Sequence, residues 1–261
     1  MIENKTIWIT GASTGIGATL ALQLAATGNT VIASARSADQ LQGLAARAKD
    51  YSGKILPFVC DVTLDEQTAG FRSQLLELTD HLDILIICAG RCEYIDDAEL
   101  DVALFRRVYD VNVFGAVNAA SVALPLLEEA AQKNQTGKPQ IVAVASLSAV
   151  TGLPRAEAYG SSKAAMIYLF NTLRLDLQKR IDVTIVNPGF VETPMTRQND
   201  FPMPFIMQPS AAAERIIKGI EKRKLTLNFP LRLWLSLKIP SLIPSVWYRY
   251  LGPKLARTER R

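Results

Sequence analysis

Short apolar runs alternate with stretches of helical length through most of this chain, and this alternation constrains the fold more than any other feature. The runs are rich in Ile and Val with few polar alternations, as expected of strands that are covered on both faces. The alternation therefore predicts a single α/β domain with a parallel, doubly wound sheet. The predicted strands are residues 5–10, 29–35, 54–60, 82–88, 139–146 and 181–187, and the predicted helices are 15–27, 38–49, 64–79, 99–132 and 157–179.

The composition is that of a globular protein with few potential metal ligands. Of 261 residues, 49% are hydrophobic and 21% are charged, so the chain can bury a substantial core. Three cysteines and one histidine provide neither a disulfide framework nor a zinc site. The start has no secretory signal pattern, and no uncharged apolar run reaches the roughly 18 residues of a transmembrane helix. We therefore expect a cytoplasmic protein without a metal, with free thiols at Cys60, Cys88 and Cys92.

The positive charge is concentrated at the C-terminus. The formal net charge is +4, but residues 1–221 carry a net −5 and residues 222–261 carry a net +9, with Glu259 as the last segment's one acid. The net negative charge of residues 1–221 argues against nucleic-acid binding by this part of the chain. The distribution instead indicates a C-terminal segment with a role of its own.

The motif ITGASTGIG follows the first predicted strand and opens the first predicted helix. Its three glycines permit a tight turn and a close approach of the backbone to a pyrophosphate. The helix N-terminus supplies N–H groups and a partial positive charge for the same anion. The motif therefore predicts a Rossmann-type dinucleotide site, with a plain strand-to-helix turn as the alternative. The residues expected at this site are Gly11, Ser13, Thr14, Gly15, Ile16 and Gly17.

The end of the second strand predicts which dinucleotide is bound. A domain that binds NAD usually ends this strand with an acidic residue for the ribose diol. No acid occurs here before Asp39, and Arg36 and Ser37 stand in that place. Arginine suits a 2′-phosphate through a charge-assisted contact, so we expect NADP(H), with NAD(H) as the less favoured cofactor. A solvated arginine at a strand end is the alternative interpretation.

The third strand ends in the sequence VCDV. Asp61 can accept a hydrogen bond from an adenine amino group while Val62 packs on the ring. Asp61 could equally cap a helix that starts at residue 63. The dinucleotide context favours the adenine role.

The sequence AYGSSK raises the question of which group moves protons. Tyrosine has an unperturbed pKa of about 10, but Lys163 lies four residues after Tyr159 and so shares its helix face. A cationic ammonium near the phenol should lower the phenol's pKa. A tyrosine tuned in this way can act as an acid and a base.

Taken together, these motifs resemble those of the short-chain dehydrogenase/reductase family over about residues 5–195. Their order and spacing agree with the family, including Ser146 at thirteen residues before Tyr159. The residues that carry the resemblance are Thr10, Gly11, Gly15, Gly17, Asp61, Val62, Ala89, Gly90, Asn112, Ser146, Tyr159, Lys163, Pro188, Gly189 and Thr193.

The resemblance implies a catalytic set of Asn112, Ser146, Tyr159 and Lys163. Tyr159 would exchange a proton with the carbonyl or hydroxyl oxygen, and Ser146 would hydrogen-bond that oxygen. Lys163 would bind the nicotinamide ribose, and Asn112 would kink the 99–132 helix and hold a water that links Lys163 to solvent.

The resemblance also implies contacts at the nicotinamide end and an oligomer. Pro188 and Gly189 would turn the chain under the nicotinamide, and the Val191 backbone and the Thr193 hydroxyl would meet its carboxamide. Ala89 and Gly90 would lie near the ribose. Helices 99–132 and 157–179 would form the faces of a homodimer or homotetramer.

One position departs from the family pattern. The family usually has Asn-Asn-Ala-Gly after the fourth strand, and this chain has Ile87 and Cys88 before Ala89 and Gly90. In the family the second Asn mainly braces the sheet through hydrogen bonds. Since Cys88 can do little of this, we expect altered stability or cofactor affinity with the chemistry retained.

The segment 195–210 predicts an apolar substrate. It holds three of the five methionines, with two phenylalanines and three prolines. A proline-broken apolar loop beside an active site is typical of a lid, and Met and Phe give an adaptable apolar wall. We expect a fatty, steroid-like, retinoid-like or aromatic carbonyl or alcohol; the alternative is that these residues only pack the loop in place.

The C-terminal part divides from a catalytic domain at 1–224. Residues 225–261 are expected to form an edge strand followed by an apolar, basic tail in which prolines forbid one long helix. This composition suits a peripheral membrane contact, a flap over the substrate pocket or a dimer arm. The sequence thus predicts an NADP(H)-dependent oxidoreductase, with a non-catalytic dinucleotide sensor or a membrane-peripheral adaptor as the alternatives.

Overall fold

The computed structural model describes residues 1–64, 68–96, 98–133 and 137–255. Its strands are β1 (Thr6–Thr10), β2 (Thr30–Ala35), β3 (Lys54–Val59), β4 (Ile84–Ile87), β5 (Gln140–Val144), β6 (Asp182–Pro188) and β7 (Thr226–Phe229). Its longer helices are α1 (Gly15–Ala25), α2 (Ala38–Arg47), α3 (Thr68–Leu78), α4 (Val102–Tyr109), α5 (Gly115–Lys133), α6 (Glu157–Leu177), α7 (Pro209–Glu221) and α8 (Leu231–Ser241).

The strands form one parallel sheet in the order β3-β2-β1-β4-β5-β6-β7. Trp8 in β1 lies between Ile32 of β2 and Leu85 of β4, which fixes the register at the centre. The chain winds outward from β1 in one direction and from β4 in the other, so the order reverses between these two strands. The predicted Rossmann-type, doubly wound, single-domain fold is confirmed.

Alternate residues of each strand face opposite layers of helices, which explains the apolar strands. Ile7 and Ile9 belong to a core that α1, α2 and α7 cover, whereas Trp8 belongs to a second core that α3, α5 and α6 cover. Trp8 is 1% exposed. Burial on both faces is the reason that the strands show no polar alternation.

The long helix predicted over 99–132 is interrupted at its centre. It begins at Val102, and α4 and α5 are joined by a π-helical turn, Asp110–Phe114. A π turn adds a residue to one helical turn and is frequent at functional sites. The kink expected at Asn112 therefore takes the form of a local widening of the helix.

The same helix is long and apolar enough, over Val102–Gln132, to cross a membrane by length and composition. Half of its most apolar window is buried inside the molecule. Ala123 and Leu127 are among its residues in the second core. The packing is that of a core helix, and its low polarity follows from this burial.

The C-terminal part begins as the predicted edge strand. β7 pairs in parallel with β6, with Asn187 opposite Asn228 and Pro188 opposite Phe229. The chain then turns into α8 directly after the carboxyl end of β7. Residues 231–255 thus lie at the edge of the sheet where all seven parallel strands end.

Candidate active site

A cavity of about 170 Å³ lies at the carboxyl end of the sheet, where the strand order reverses between β1 and β4. In doubly wound sheets this reversal point opens a crevice for ligands. Six of the residues predicted to contact the cofactor line the cavity together: Gly11, Arg36, Asp61, Val62, Ala89 and Gly90.

The glycine-rich turn is held by close backbone approaches. A Cβ on Gly11 would lie 2.6 Å from the Ala89 Cα, and one on Gly17 would lie 2.3 Å from the Gly11 carbonyl oxygen. Gly11 and Gly15 also have positive φ values of 67° and 56°, which favour glycine. The turn therefore requires these glycines to bring β1, α1 and the loop after β4 together.

The start of α1 has the form expected of an anion site. Thr14 is the extended N-cap residue and its side chain makes no capping hydrogen bond. Ser13 and Ile16 flank it in the same turn, half-buried. The N-terminus of α1 thus lies toward the crevice. Its first N–H groups and the helix dipole favour a phosphate at this position.

Thr10 performs the bracing that Cys88 cannot. Its hydroxyl oxygen accepts hydrogen bonds from the Cys88 and Ala89 backbone N–H groups, each at 3.2 Å. Burial raises the pKa of the Cys88 thiol to about 11. The strand ends are therefore tied by a neighbouring hydroxyl, and the thiol stays neutral near pH 7.

The Arg36 side chain is exposed at the end of β2 and lines the cavity. Ser37 follows it as the N-cap of α2, and its hydroxyl accepts from the Gln40 backbone N–H at 3.4 Å. The structure therefore assigns Ser37 a capping contact. Arg36 and Arg91 are the two basic residues in the lining of this cavity, and a contact of Arg36 with a 2′-phosphate stays a prediction.

Asp61 makes a local turn contact, whereas its contact with an adenine amino group stays a prediction. Its Oδ1 accepts from the Thr63 backbone N–H at 3.0 Å and from the Thr63 hydroxyl at 2.8 Å, so it stabilises the turn after β3. The same residue lines the cavity beside Val62. Val62 in turn packs against Gly115, where a Cβ would lie 2.8 Å from the Val62 Cγ2.

Ser146 and Tyr159 lie side by side at the carboxyl end of β5. The Ser146 side chain lies close enough to the Tyr159 phenol to lower its pKa. Ser146 also accepts from the Ser148 backbone N–H at 3.1 Å, which caps a short 3₁₀ helix. The cap fixes the serine, and the first turn of α6 presents the tyrosine to it.

Lys163 lies one turn further along α6 and is 3% exposed. Its Nζ donates to the Val144 carbonyl at 3.0 Å and lies 6.0 Å from the centre of the Tyr159 ring. Burial lowers the pKa of Lys163 to about 8. The ammonium is therefore largely charged at pH 7 but close to its titration range.

The prediction that the Tyr159 pKa is lowered is wrong when only the groups of the protein itself are considered. Burial raises the pKa of Tyr159 above its ordinary value, and the nearby Ser146 side chain only partly opposes this. Lys163 donates to the Val144 carbonyl and not to the phenol. Desolvation therefore outweighs the lysine, and the sequence could not reveal this because both residues' burial depends on distant loops.

Asn112 is fully buried in the π turn and connects two elements. Its Oδ1 accepts from the Arg91 backbone N–H at 2.7 Å, while its Nδ2 donates to the Arg91 carbonyl at 2.9 Å and to the Ser162 hydroxyl at 2.8 Å. Asn112 thus ties the loop after β4 to α6 beside Lys163. That it holds a water remains a prediction.

The loop after β6 reaches the glycine-rich turn from the other side. A Cβ on Gly15 would lie 3.0 Å from the Thr193 Cγ2, so the two loops are in contact. The Val191 carbonyl accepts from the Thr196 hydroxyl at 2.6 Å, and the Gly189 N–H donates to the Phe229 carbonyl at 2.7 Å. Pro188 ends β6 and is buried. These contacts place residues 188–193 beside the glycine-rich turn, and their contact with the nicotinamide stays a prediction.

Sequence reasoning missed Arg155, which joins three loops above the site. Its guanidinium lies 2.7 Å from an Asp96 carboxylate oxygen and 2.8 Å from one of Asp200. Its carbon Cζ lies 5.3 Å from the centre of the Tyr94 ring, a distance typical of a cation–π contact. The Arg155 side chain is only 18% exposed. Arg155 therefore links the loops that follow β4, β5 and β6.

An aromatic cluster lies beneath this arginine. The Tyr94 ring packs edge-to-face on Phe201 at 5.3 Å, and Phe201 packs on Phe190 at 6.1 Å. Burial raises the pKa of the Tyr94 phenol, and the nearby Cys92 and Tyr159 raise it further. The predicted apolar wall thus includes a residue from the loop after β4. No motif identified Tyr94, because its contacts come from distant positions.

The C-terminal tail packs against the same side of the site. Leu233, Leu237 and Trp247 form a buried cluster with Leu147, the neighbour of Ser146. The Trp247 Nε1 donates to the Gly152 carbonyl at 3.0 Å. Of the alternatives drawn from the sequence, this inner face agrees with a flap beside the substrate pocket.

Comparison with known protein families gives a match to the short chain dehydrogenase model over residues 5–202. An uncharacterized oxidoreductase of Myxococcus xanthus (strain DK1622) is 33% identical over 92% of this chain and 93% of its own length. The 11-beta-hydroxysteroid dehydrogenase-like 4A of Arabidopsis thaliana is 31% identical over 94% of this chain and 84% of its own length.

Solved structures show the same fold at lower identity. The Pseudomonas aeruginosa RhlG/NADP active-site complex superposes with a TM-score of 0.79 at 24% identity, over 87% of this chain and 95% of the other. The Brucella melitensis 3-ketoacyl-(acyl-carrier-protein) reductase complexed with NADH gives 0.78 at 22% identity, over 87% of this chain and 97% of the other.

Proposed function

Because this chain belongs to the short-chain dehydrogenase family of oxidoreductases, we propose that it interconverts an apolar carbonyl compound and its alcohol with NADP(H). The family and the fold imply a nicotinamide dinucleotide and chemistry between CH–OH and C=O groups. The choice of NADP(H), the apolar substrate and the site residues are our inferences.

The observation that carries the proposal is the side-by-side arrangement of Ser146, Tyr159 and Lys163 beside the dinucleotide crevice. The Ser146 side chain lies close to the Tyr159 phenol, and a buried lysine lies one turn away. These groups are fixed by a helix, a cap and a strand end, which is the pre-organisation that catalysis requires. A sensor without turnover would need no such arrangement.

Each side chain has a definite part in the proposed reaction. The Tyr159 hydroxyl donates its proton to the substrate oxygen during reduction and takes it back during oxidation. The Ser146 hydroxyl hydrogen-bonds the same oxygen and stabilises the charge that develops there. Lys163 binds the nicotinamide ribose and supplies positive charge near the phenol. The bound cofactor supplies the hydride.

Arg36 supports the choice of NADP(H). It lines the crevice as an exposed cation at the end of β2, where a ribose 2′-phosphate would be met. The two structural neighbours differ in their cofactor, since one is an NADP complex and the other holds NADH. The choice between NADP(H) and NAD(H) is therefore inferred from Arg36 of this chain and not from its relatives.

The decisive test is titration of the purified full chain with NADPH and with NADH, followed by tryptophan fluorescence. We expect tighter binding of NADPH, and a loss of this preference of about tenfold or more in Arg36→Gln, because a charge-assisted contact is removed. Arg47→Gln, a change at an exposed arginine at the end of α2, serves as the matched control. Equal binding of both cofactors by the wild-type protein would refute the assignment.

The substrate class rests on the aromatic cluster Tyr94, Phe190 and Phe201 together with the tail's apolar inner face. These surfaces favour apolar substrates because burying apolar area contributes about 25 cal/mol per Å². A screen of long-chain, steroid and aromatic aldehydes and ketones with NADPH tests this. A higher kcat/KM for short polar carbonyl compounds would contradict it.

We also propose a cytoplasmic homodimer or homotetramer. Phe114, Val117, Tyr168 and Leu175 are 53%, 40%, 78% and 67% exposed on or beside α5 and α6. Exposed large apolar residues on two adjacent helices favour an interface. Light scattering on the wild type and on Tyr168→Asp with Leu175→Asp tests it, and a monomeric wild type would contradict it. A peripheral membrane contact through the tail is the remaining part of the proposal.

A further inference from the structure

We propose that the outer face of the C-terminal segment 231–255 docks the protein on an anionic lipid surface. Leu231, Leu235 and Ile239 on α8 and its C-cap residue Leu242 form an exposed apolar stripe, with exposures of 58%, 37%, 60% and 67%. Their spacing of four, four and three residues places them on one helix face. We call these four residues the outer stripe.

The opposite face of the same helix is already packed. Leu233 and Leu237 are 7% and 8% exposed in the cluster that includes Leu147 and Trp247. α8 is therefore apolar on both faces, and only the inner face has a partner in the described part of the chain. A second apolar face on a surface helix requires an explanation other than core packing.

The charge around the outer stripe identifies its partner. Arg232 and Lys238 are exposed on α8, and Arg249 and Lys254 are exposed further along. The sequence has no acidic residue from 222 to 258. Apolar side chains flanked by cations, with Tyr248 and Tyr250 exposed at 59% and 64%, have the composition of an interfacial segment that binds anionic lipid.

The same charge disfavours a second copy of this chain as the occupant. A two-fold contact between two outer stripes would place like charges opposite each other with no acid in the segment to pair them. An anionic bilayer offers both an apolar phase and the complementary charge. The lipid surface is therefore the occupant that the observations favour.

The docking surface is connected to the site through the thickness of one helix. A Cβ on Gly189 would lie 2.7 Å from the Leu233 Cδ2 and 3.4 Å from the Leu147 Cδ1. α8 thus backs the residues next to Ser146 and the Pro188 turn. If the proposed apolar substrate is correct, the pocket lies beside the lipid phase in which such a substrate dissolves.

Flotation of the full-length protein with vesicles tests the inference. We expect binding to vesicles of phosphatidylcholine with added phosphatidylglycerol, weakened by high salt, and little binding to phosphatidylcholine alone. Arg232→Gln with Lys238→Gln should weaken it by about 25-fold, since each basic residue near the surface contributes about fivefold. Leu235→Ser with Ile239→Ser should weaken it by about tenfold or more.

The controls lie at the opposite edge of the sheet. Lys49→Gln with Lys54→Gln matches the charge change, and Leu76→Ser with Leu78→Ser matches the apolar change on α3. Both controls should bind vesicles as the wild type does. NADPH titration of every variant shows whether the fold is intact. It also measures the proposed cofactor binding independently of lipid binding.

Three results would overturn the proposal. Equal binding to neutral and anionic vesicles would remove the role of charge. No binding to either would remove the lipid surface as the partner. Loss of self-association in the Leu235→Ser, Ile239→Ser variant, without vesicle binding by the wild type, would assign the outer stripe to a second copy.

Discussion

The two halves of the proposed site are built in different ways. The dinucleotide half, which comprises residues 11–17, 36–37, 61–62 and 89–90, is formed by backbone turns at strand ends. The substrate half, which comprises residues 91–96, 147–156, 190–207 and 231–255, is formed by side chains that reach across long distances in the sequence. Gly11 against Ala89 represents the first half, and Arg155 between Asp96 and Asp200 represents the second.

This difference has an energetic consequence. In the dinucleotide half an added methyl group collides with backbone, which cannot move without shifting a strand or helix. In the substrate half the contacts are ion pairs and ring packings between loops, each of which contributes little alone. A mutation in the dinucleotide half should therefore disturb that whole half. A mutation in the substrate half should affect only the contact that it removes.

Tyr159→Phe should have the largest effect and should leave both halves intact. The change removes the hydroxyl that exchanges the proton but keeps the ring, so kcat should fall by about 10²–10⁴-fold. NADPH affinity and the free energy of unfolding should change little. Tyr168→Phe, at a position 78% exposed on the same helix, is the control. Retained turnover in Tyr159→Phe would remove this residue from the chemistry.

Gly17→Ala tests the rigidity of the dinucleotide half. The new Cβ would lie 2.3 Å from the Gly11 carbonyl oxygen, so the turn must shift, at a cost of about 2–3 kcal/mol in the free energy of unfolding. NADPH binding should weaken in parallel.

Gly43→Ala provides the matched control for this change. No atom lies within 4 Å of its Cβ position in α2, and alanine there should stabilise the protein by about 0.5–1 kcal/mol. Urea denaturation and NADPH titration read both variants. Equal stability of the two would contradict the account of the turn.

Arg155→Met tests whether the substrate half is separable. The change removes two ion pairs and the contact with Tyr94, and we expect kcat/KM for the carbonyl substrate to fall by about tenfold while the NADPH Kd is unchanged. Arg180→Met, which removes the exposed ion pair with Glu128, should have little effect. A parallel loss of NADPH affinity in Arg155→Met would show that the two halves are not independent.

The pH dependence of stability should reveal Lys163, at the border of the two halves. Its pKa in the folded protein is about 8, below the ordinary value of 10.5, so the unfolded chain binds more protons between these values. Its unfavourable contribution is therefore fully present below pH 8 and is relieved as pH rises toward 10.5.

We expect Lys163→Met to be more stable than the wild type by about 1–2 kcal/mol at pH 7.5, and this gap to narrow at pH 10. Burial raises the pKa values of Cys88 and Cys92, and the Lys163 charge lowers them. Loss of that charge raises both thiol pKa values further, which lowers the variant's stability at pH 10 and narrows the gap in the same direction. Urea denaturation at the two pH values measures the gap. A gap that widens with pH would contradict the assigned direction.

The dinucleotide half could be predicted from the sequence because its determinants are local. Gly11, Gly15 and Gly17 lie within one turn, Arg36 directly follows β2, and Asp61 lies two residues after β3. Parallel strands bring such positions to one edge. The strand pattern predicted six strands of the sheet and an edge strand at 225–229, and the bounds differ by a few residues.

The substrate half could not be predicted in the same way. Arg155 contacts Asp96 and Asp200, which lie far away in the chain, and no pattern of spacing reveals such a contact. The bracing by Thr10 could not be predicted for the same reason. The Thr10 hydroxyl meets the Cys88 N–H only because β1 and β4 are neighbours in the folded sheet. The prediction for the pKa of Tyr159 was wrong because burial is a tertiary property.

The contact between Gly189 and Leu233 limits how this molecule can be re-engineered. Since a Cβ at position 189 would lie within 3 Å of Leu233, the turn after β6 and the inner face of α8 are complementary in shape. Exchanging either one alone with a relative would introduce a collision or a gap. The loop and the tail therefore form one transplantable module, and a chimera with a new substrate range should inherit both from the same parent.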